Sequence, residues 1–130
     1  MSGSGSIVSV FNSHLIDFFQ DVLNIFPENT DILAGKNSII AIKKMNPSII
    51  IKIWKKYIAN IYQAQIEADD VTFFTGKDYA NDLVNSNNSD AILETINRLR
   101  EPIKLMDPSD QAKTMKYIKN LTKMSLLYNS

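Results

Sequence analysis

From Val8 to Phe26 the apolar residues Phe11, Leu15, Phe18, Phe19, Val22, Leu23 and Phe26 recur in steps of three and four. That spacing lays one broad apolar stripe along a helix, which Pro27 ends. Asn29, Thr30 and Asp31 then supply capping side chains, and a second helix is predicted to run to about Met45, with Leu33, Ile39, Ile40 and Ile42 available for burial. Gly35 weakens its first turns. Asn46-Pro47 reads as a cap followed by proline at the first helical position, so a third helix starts there. Ile50, Ile53, Trp54, Tyr57, Ile58 and Ile61 sit at helical spacing in it. The run Ile49-Ile50-Ile51 would also suit a buried strand. Length decides for helix, because about 20 residues pass before the next breaker and an ordinary strand is far shorter.

Residues 67 to 88 are the least regular part of the pattern and read as loop, short helix, loop. Tyr79 to Val84 is the short helix, and Phe73-Phe74 fill the core from the loop. A helix from Ser89 or Asp90 turns Ile92, Leu93, Ile96 and Leu99 inward until Pro102 kinks or stops it. Asp107-Pro108 repeats the cap-then-proline start, and the last helix runs to about Tyr128. It separates Tyr117, Ile118, Leu121, Met124 and Tyr128 on one arc from Lys113, Lys116, Lys119 and Lys123 on another. The expectation is an all-α fold: a single five- or six-helix bundle-like domain with a long central third helix, the longest and most apolar of the set. Residues 1–6, Met-Ser-Gly-Ser-Gly-Ser, read as a flexible Gly/Ser linker or tag remnant, and residues 7–130 as one helical domain.

Composition narrows the chemistry. The 130 residues include no Cys and one His, which excludes disulfides, thiolate metal sites and multi-histidine sites. At this length folding buries roughly two-thirds of the chain's surface, enough for a core without staples. No apolar run approaches a membrane span and no basic segment leads into a signal-peptide core, so the expected setting is inside a cell or a particle, not secreted and not in a membrane. Ile occurs 18 times, Asn 13 and Lys 12 against two Arg, the bias of AT-rich coding sequence.

Net charge is zero, with 14 basic and 14 acidic residues, but the charges are segregated. Residues 1–42 carry a net −3, 43–66 a net +5, 67–110 a net −6 and 111–130 a net +4. Lys43, Lys44, Lys52, Lys55 and Lys56, together with Lys113, Lys116, Lys119 and Lys123, could form one basic patch for phosphate or an acidic protein if their helices share a side. The alternative is a set of ordinary solvated helix faces. Lysines alone would give salt-sensitive, sequence-blind contact with nucleic acid, and Arg98 and Arg100 lie in the acidic block instead.

The remaining constellations are weak. Gly35-Lys36-Asn37 and Gly76-Lys77-Asp78 lack the upstream glycine and following hydroxyl of a phosphate-binding loop. Asp69, Asp70, Asp78 and Asp82 form an acid cluster without the spacing of a calcium loop, and read as loop acids and caps. His14 can pair with Asp17 on one helix face but has no nucleophile to serve. Trp54, Tyr57, Tyr62, Phe73 and Phe74 could stack bases, yet their helical spacing fits core packing better. No cofactor, metal or catalytic set is expected. Met115, Leu126 and Leu127 fall off the main stripe of the last helix and suggest a surface for a partner protein or self-association.

Three strings, Asn46 to Trp54, Phe73 to Tyr79 and Met115 to Leu121, resemble small uncharacterised helical proteins of nucleocytoplasmic large DNA viruses. The resemblance implies a virus context, with a virion, a virus factory or the cytoplasm of an infected cell as the setting. It assigns no residue a role. The leading expectation is a non-enzymatic interaction module, and its rival is a nucleic-acid-binding accessory protein using the two lysine blocks.

Overall fold

The computed structural model describes residues 3–75 and 88–128, and they form an all-α, bundle-like domain with no strand among the described residues. Helix α1 (Gly3–Ile25) packs against α2 (Thr30–Met45) and α8 (Pro108–Leu127). A rod made of α3 (Ile49–Trp54), a π-helical turn (Lys55–Ala59) and α4 (Asn60–Glu67) runs along α8. The one-turn α5 (Thr72–Thr75) lies on α7 (Arg100–Leu105), and α6 (Asn88–Asn97) covers α2 and α3. With the rod and the α6–α7 pair each counted once, the described residues hold five principal helices and the single turn of α5. The Gly76, Lys77, Asp78 and Asp82 positions and the Tyr79–Val84 helix expected from sequence lie outside the described residues.

Several expected boundaries hold for the expected reasons. Asn29 caps α2 by accepting from the Ile32 amide at 3.0 Å, and Asp107 caps α8 by accepting from the Asp110 amide at 2.8 Å. Helix α1 begins at Gly3 and so takes in part of the stretch read as linker. Asn46-Pro47 is not a cap and first helical residue. The two residues form a turn, α3 starts at Ile49, and the Pro47 carbonyl accepts from Asn12 Nδ2 at 2.8 Å, which ties the α2–α3 turn to α1. The α6 helix breaks at Arg98-Leu99, before Pro102, and Pro102 falls in the first turn of α7, where no amide is needed.

The third helix is central, since α3 touches α1, α2, α6 and α8, but α1 with 23 residues is longer and the rod is not one regular helix. One line of its buried residues, Ile50, Trp54, Ile58, Tyr62 and Ile66, is spaced by four, with Ile51, Ile53 and Ala59 buried beside it. In a straight α-helix each such step turns the stripe by about 40°, because four residues exceed the 3.6 of one turn. The wider π turn and the non-helical backbone at Tyr62 (φ −114, ψ 18) break that geometry where the stripe would otherwise leave the core. The result differs from the sequence reading: Ile61 is exposed and Tyr57 half-buried, while Tyr62 and Ile66 are buried.

In α2, Ile32, Gly35 and Ile39 form the buried line and Leu33 is exposed. Gly35 is required by a close approach. A methyl group there would lie 2.8 Å from Phe19 Cε2 and 3.4 Å from Thr95 Cγ2. Asp69, the residue after the α4 C-cap, takes a left-handed φ of 57°, and the Asp70 amide reaches the Gln65 carbonyl at 2.9 Å while that of Asp69 reaches Ile66 at 3.1 Å. That is the Schellman ending, with aspartate where glycine is usual.

Trp54, Phe11 and Thr122 bring the rod, α1 and α8 together. The Trp54 indole N–H donates to Thr122 Oγ1 at 3.0 Å in the buried interior, and the Phe11 ring meets the indole edge-on at 5.9 Å between centroids. Thr122→Val keeps the shape and removes the acceptor, and the expected cost is about 1–3 kcal/mol, read from urea unfolding. Gly35→Ala improves helix propensity by about 1 kcal/mol but overpacks Phe19, and a net loss of about 1–2 kcal/mol is expected in the same assay.

Candidate functional site

Two places on the surface combine shape with chemistry, and α1 and α8 contribute to both. The first is the α1–α8 groove. Tyr117 stacks on Phe18 at 5.1 Å with an interplanar angle of 7°, the His14 ring lies 4.8 Å from it, and the Tyr117 hydroxyl donates to Asp21 Oδ2. Residues His14, Asp21, Lys113, Lys116, Tyr117 and Asn120 line a cavity of about 250 Å³ there. Burial holds His14 below its ordinary pKa of 6.5 against the opposing pull of Asp17, and its Nε2 is buried without a hydrogen-bond partner. Burial, then the hydrogen bond to Asp21 and the charges of Asp21 and Asp17, push the Tyr117 phenol up to about 12. The cluster is a clamp that orients α1 on α8: the imidazole is kept neutral and the phenol keeps its proton. His14 and Asp17 do share one side of α1, as their spacing predicts.

The second place is the end of the bundle around Tyr128. Val8, Ser9 and Asn12 of α1, Lys43 of α2, Pro47 and Ser48 of the α2–α3 turn, and Tyr128 line a cavity of about 390 Å³. Asn12 is buried, its Nδ2 is used by Pro47, and its Oδ1 has no hydrogen-bond partner. Lys55 Nζ donates to the Tyr128 carbonyl at 2.8 Å and so caps the C-terminus of α8. Met45, two residues from Lys43 and from Pro47 in the chain, and Leu127, next to Tyr128, are 84% and 70% exposed.

The nine candidate lysines occupy different settings. Lys43 and Lys55 belong to the Tyr128 end, with Lys55 engaged as a cap. Lys113 and Lys116 border the groove that also holds Asp21. Lys119 bridges Asp69 at 3.0 Å beside a further cavity that Lys116 lines as well, with Val71, Pro108, Gln111 and Met115. Lys56 lies over the Tyr57 ring at 5.3 Å, and Lys44, Lys52 and Lys123 are exposed. Lys113 and Tyr128 are separated by about 20 Å along α8, at 1.5 Å per residue.

The contact surface expected from Met115, Leu126 and Leu127 is corrected in one respect. Met115 is 4% exposed and part of the core, and Leu126 packs partly against it, so Leu127 alone stands out. Helix α8 buries a wider arc than its apolar residues mark, because Thr114, Thr122 and Ser125 are buried too. Trp54, Tyr62 and Phe74 are core residues and offer no platform for bases. Asp70 caps Thr72, and among the described residues no group of three or more His, Asp or Glu side chains could hold a metal. The signal missed in the sequence is Asn12, a polar residue on the apolar face of α1, one turn from Val8.

No protein-family model matches the chain, nor does any curated protein or solved structure.

The Tyr117 shift has a measurable sign. The folded state favours the neutral phenol, so its contribution to stability is full below pH 10.0 and is lost as pH rises toward about 12. Ultraviolet titration compared with Tyr117→Phe should assign an ionisation near that value to Tyr117, and Asp21→Asn should bring it down. For His14 the favoured form is also neutral, so stability falls as pH drops below 6.5. In NMR titrations the imidazole should protonate below 6.5, and lower still in Asp17→Asn.

Proposed function

We propose that this domain is a non-enzymatic helical interaction module whose partner is another protein. The observation that carries this reading is the open cavity at the Tyr128 end, walled by Val8, Pro47 and Tyr128 and accompanied by exposed Met45 and Leu127. An open apolar cavity with exposed apolar side chains close to its lining in the chain is a surface that a partner protein can cover. On the resemblance noted above, the setting is the virion or factory of a large DNA virus. Among the described residues no helix is long and apolar enough to cross a membrane.

The lysines keep a second reading in view, a nucleic-acid-binding accessory protein. Arg100 is engaged inward, donating to the Phe74 carbonyl at 3.1 Å and to Asn97 Oδ1 at 3.0 Å, so the contacting cations would be the lysines and Arg98.

Two measurements separate the readings. Immobilised protein is expected to retain a discrete protein from nuclease-treated extract, and Met45→Ser with Leu127→Ser is expected to weaken that retention. Anisotropy of labelled double- and single-stranded DNA should stay flat at about 50 and 200 mM salt, the range over which phosphate contacts lose most affinity. DNA binding that collapses with salt and disappears in Lys52→Glu with Lys56→Glu would overturn the protein-binding reading. Lys55 is left intact in that variant because it caps α8.

A further inference from the structure

We propose that the Tyr128 cavity is the docking site for an acidic segment of the partner protein, which inserts one apolar side chain between Val8, Pro47 and Tyr128 and sets its carboxylates against the surrounding lysines. This rests on the interaction-module reading and names its chemistry.

Charge complementarity is the first support. The described residues that meet at this end, 7–12, 43–55 and 123–128, contain no Asp or Glu. Lys43 lines the cavity, and Lys55, held on the Tyr128 carbonyl, places a second ammonium at its edge. Lys44 follows in the last turn of α2. With lysines and, among the described residues, no Asp or Glu side chain, this end of the bundle attracts anionic partners and repels basic ones.

Shape and polarity are the second. The volume of about 390 Å³ falls within the roughly 300–1,000 Å³ of ordinary binding pockets, and its wall is mostly apolar. A phosphate backbone has no use for such a wall, whereas a leucine or phenylalanine side chain does. Asn12 is the third support. Its Oδ1 is buried and without a hydrogen-bond partner, a condition that is unfavourable when nothing relieves it. Because Asn12 also lines the cavity, a turn of its amide toward a segment entering past Ser9 and Ser48 brings Oδ1 to an amide N–H of that segment.

The test is anisotropy of a fluorescein-labelled, glutamate-rich peptide carrying one leucine. It uses the full chain, and circular dichroism confirms that each variant is folded. Ser9→Trp fills the cavity from an exposed position, and Lys43→Glu reverses the lining charge. Each is expected to weaken binding by about tenfold or more, as is replacing the peptide's glutamates by glutamine or its leucine by serine. Peptide binding unaffected by Ser9→Trp and Lys43→Glu overturns the site. Absence of peptide binding while an extract protein is still retained overturns the acidic chemistry and leaves the module reading standing. DNA that displaces the peptide and itself fails to bind both variants makes nucleic acid the occupant and overturns both readings. A dimer in sedimentation that Ser9→Trp dissociates makes a second copy of the chain the occupant and likewise overturns the proposal.

Discussion

The hydrogen bond between the Trp54 indole and Thr122 is the constraint around which the bundle is organised. It joins the middle of the rod to α8 in the buried interior, at a distance of 3.0 Å, and Phe11 of α1 closes on the same indole from a third direction. A buried indole N–H without an acceptor is costly, and the only cheap way to satisfy it is a small hydroxyl at one place on the facing helix. Thr122 therefore sets the height at which α8 crosses the rod. Ser125, also buried, donates to the Thr122 carbonyl at 2.8 Å and takes up little space, which lets the two helices stay close beyond the crossing.

The π turn follows from that crossing. Trp54 ends α3, and the π turn begins at the next residue. The rod must keep Ile58, Tyr62 and Ile66 in the core after Trp54 has been placed, although their spacing by four drifts away from the α-helical repeat. A wider turn directly after the fixed indole is the local adjustment that keeps them there. It also leaves Lys55 positioned to reach the last carbonyl of α8, so a lysine of the charged block becomes a cap that secures the Tyr128 end.

Much of the fold was legible because helix ends and apolar periods are local signals. The Asn29 and Asp107 caps, the stripe of α1 and the inward set Ile92, Leu93, Ile96 and Leu99 all appear where the pattern puts them. What was not legible depends on partners distant in sequence. Gly35 reads as a weak helix residue until Phe19 is seen against it, and Met115 reads as surplus until Thr114 and Thr122 are seen to be buried beside it. Leu33 and Ile61 exchange places with Ile32 and Tyr62 because each burial line is set by the neighbouring helix, not by hydrophobicity alone. At the candidate site, the lysine blocks were evident and the cavity was not, since it is enclosed by α1, the α2–α3 turn and the end of α8, which are far apart in the chain.

Charge segregation in sequence does not by itself make a surface patch, and the lysines of this chain show why. A patch needs cations that are free, near one another and far from carboxylates. Lys119 is near others on α8 but bridged to Asp69, and Lys113 and Lys116 share their groove with Asp21. Among the described residues, the Tyr128 end brings lysines together without an Asp or Glu side chain, and there the cations border an apolar cavity and not a flat face. The juxtaposition favours a ligand that is itself both anionic and apolar over one that carries charge alone, because each kind of contact by itself is weak in water and the two together restrict what can bind.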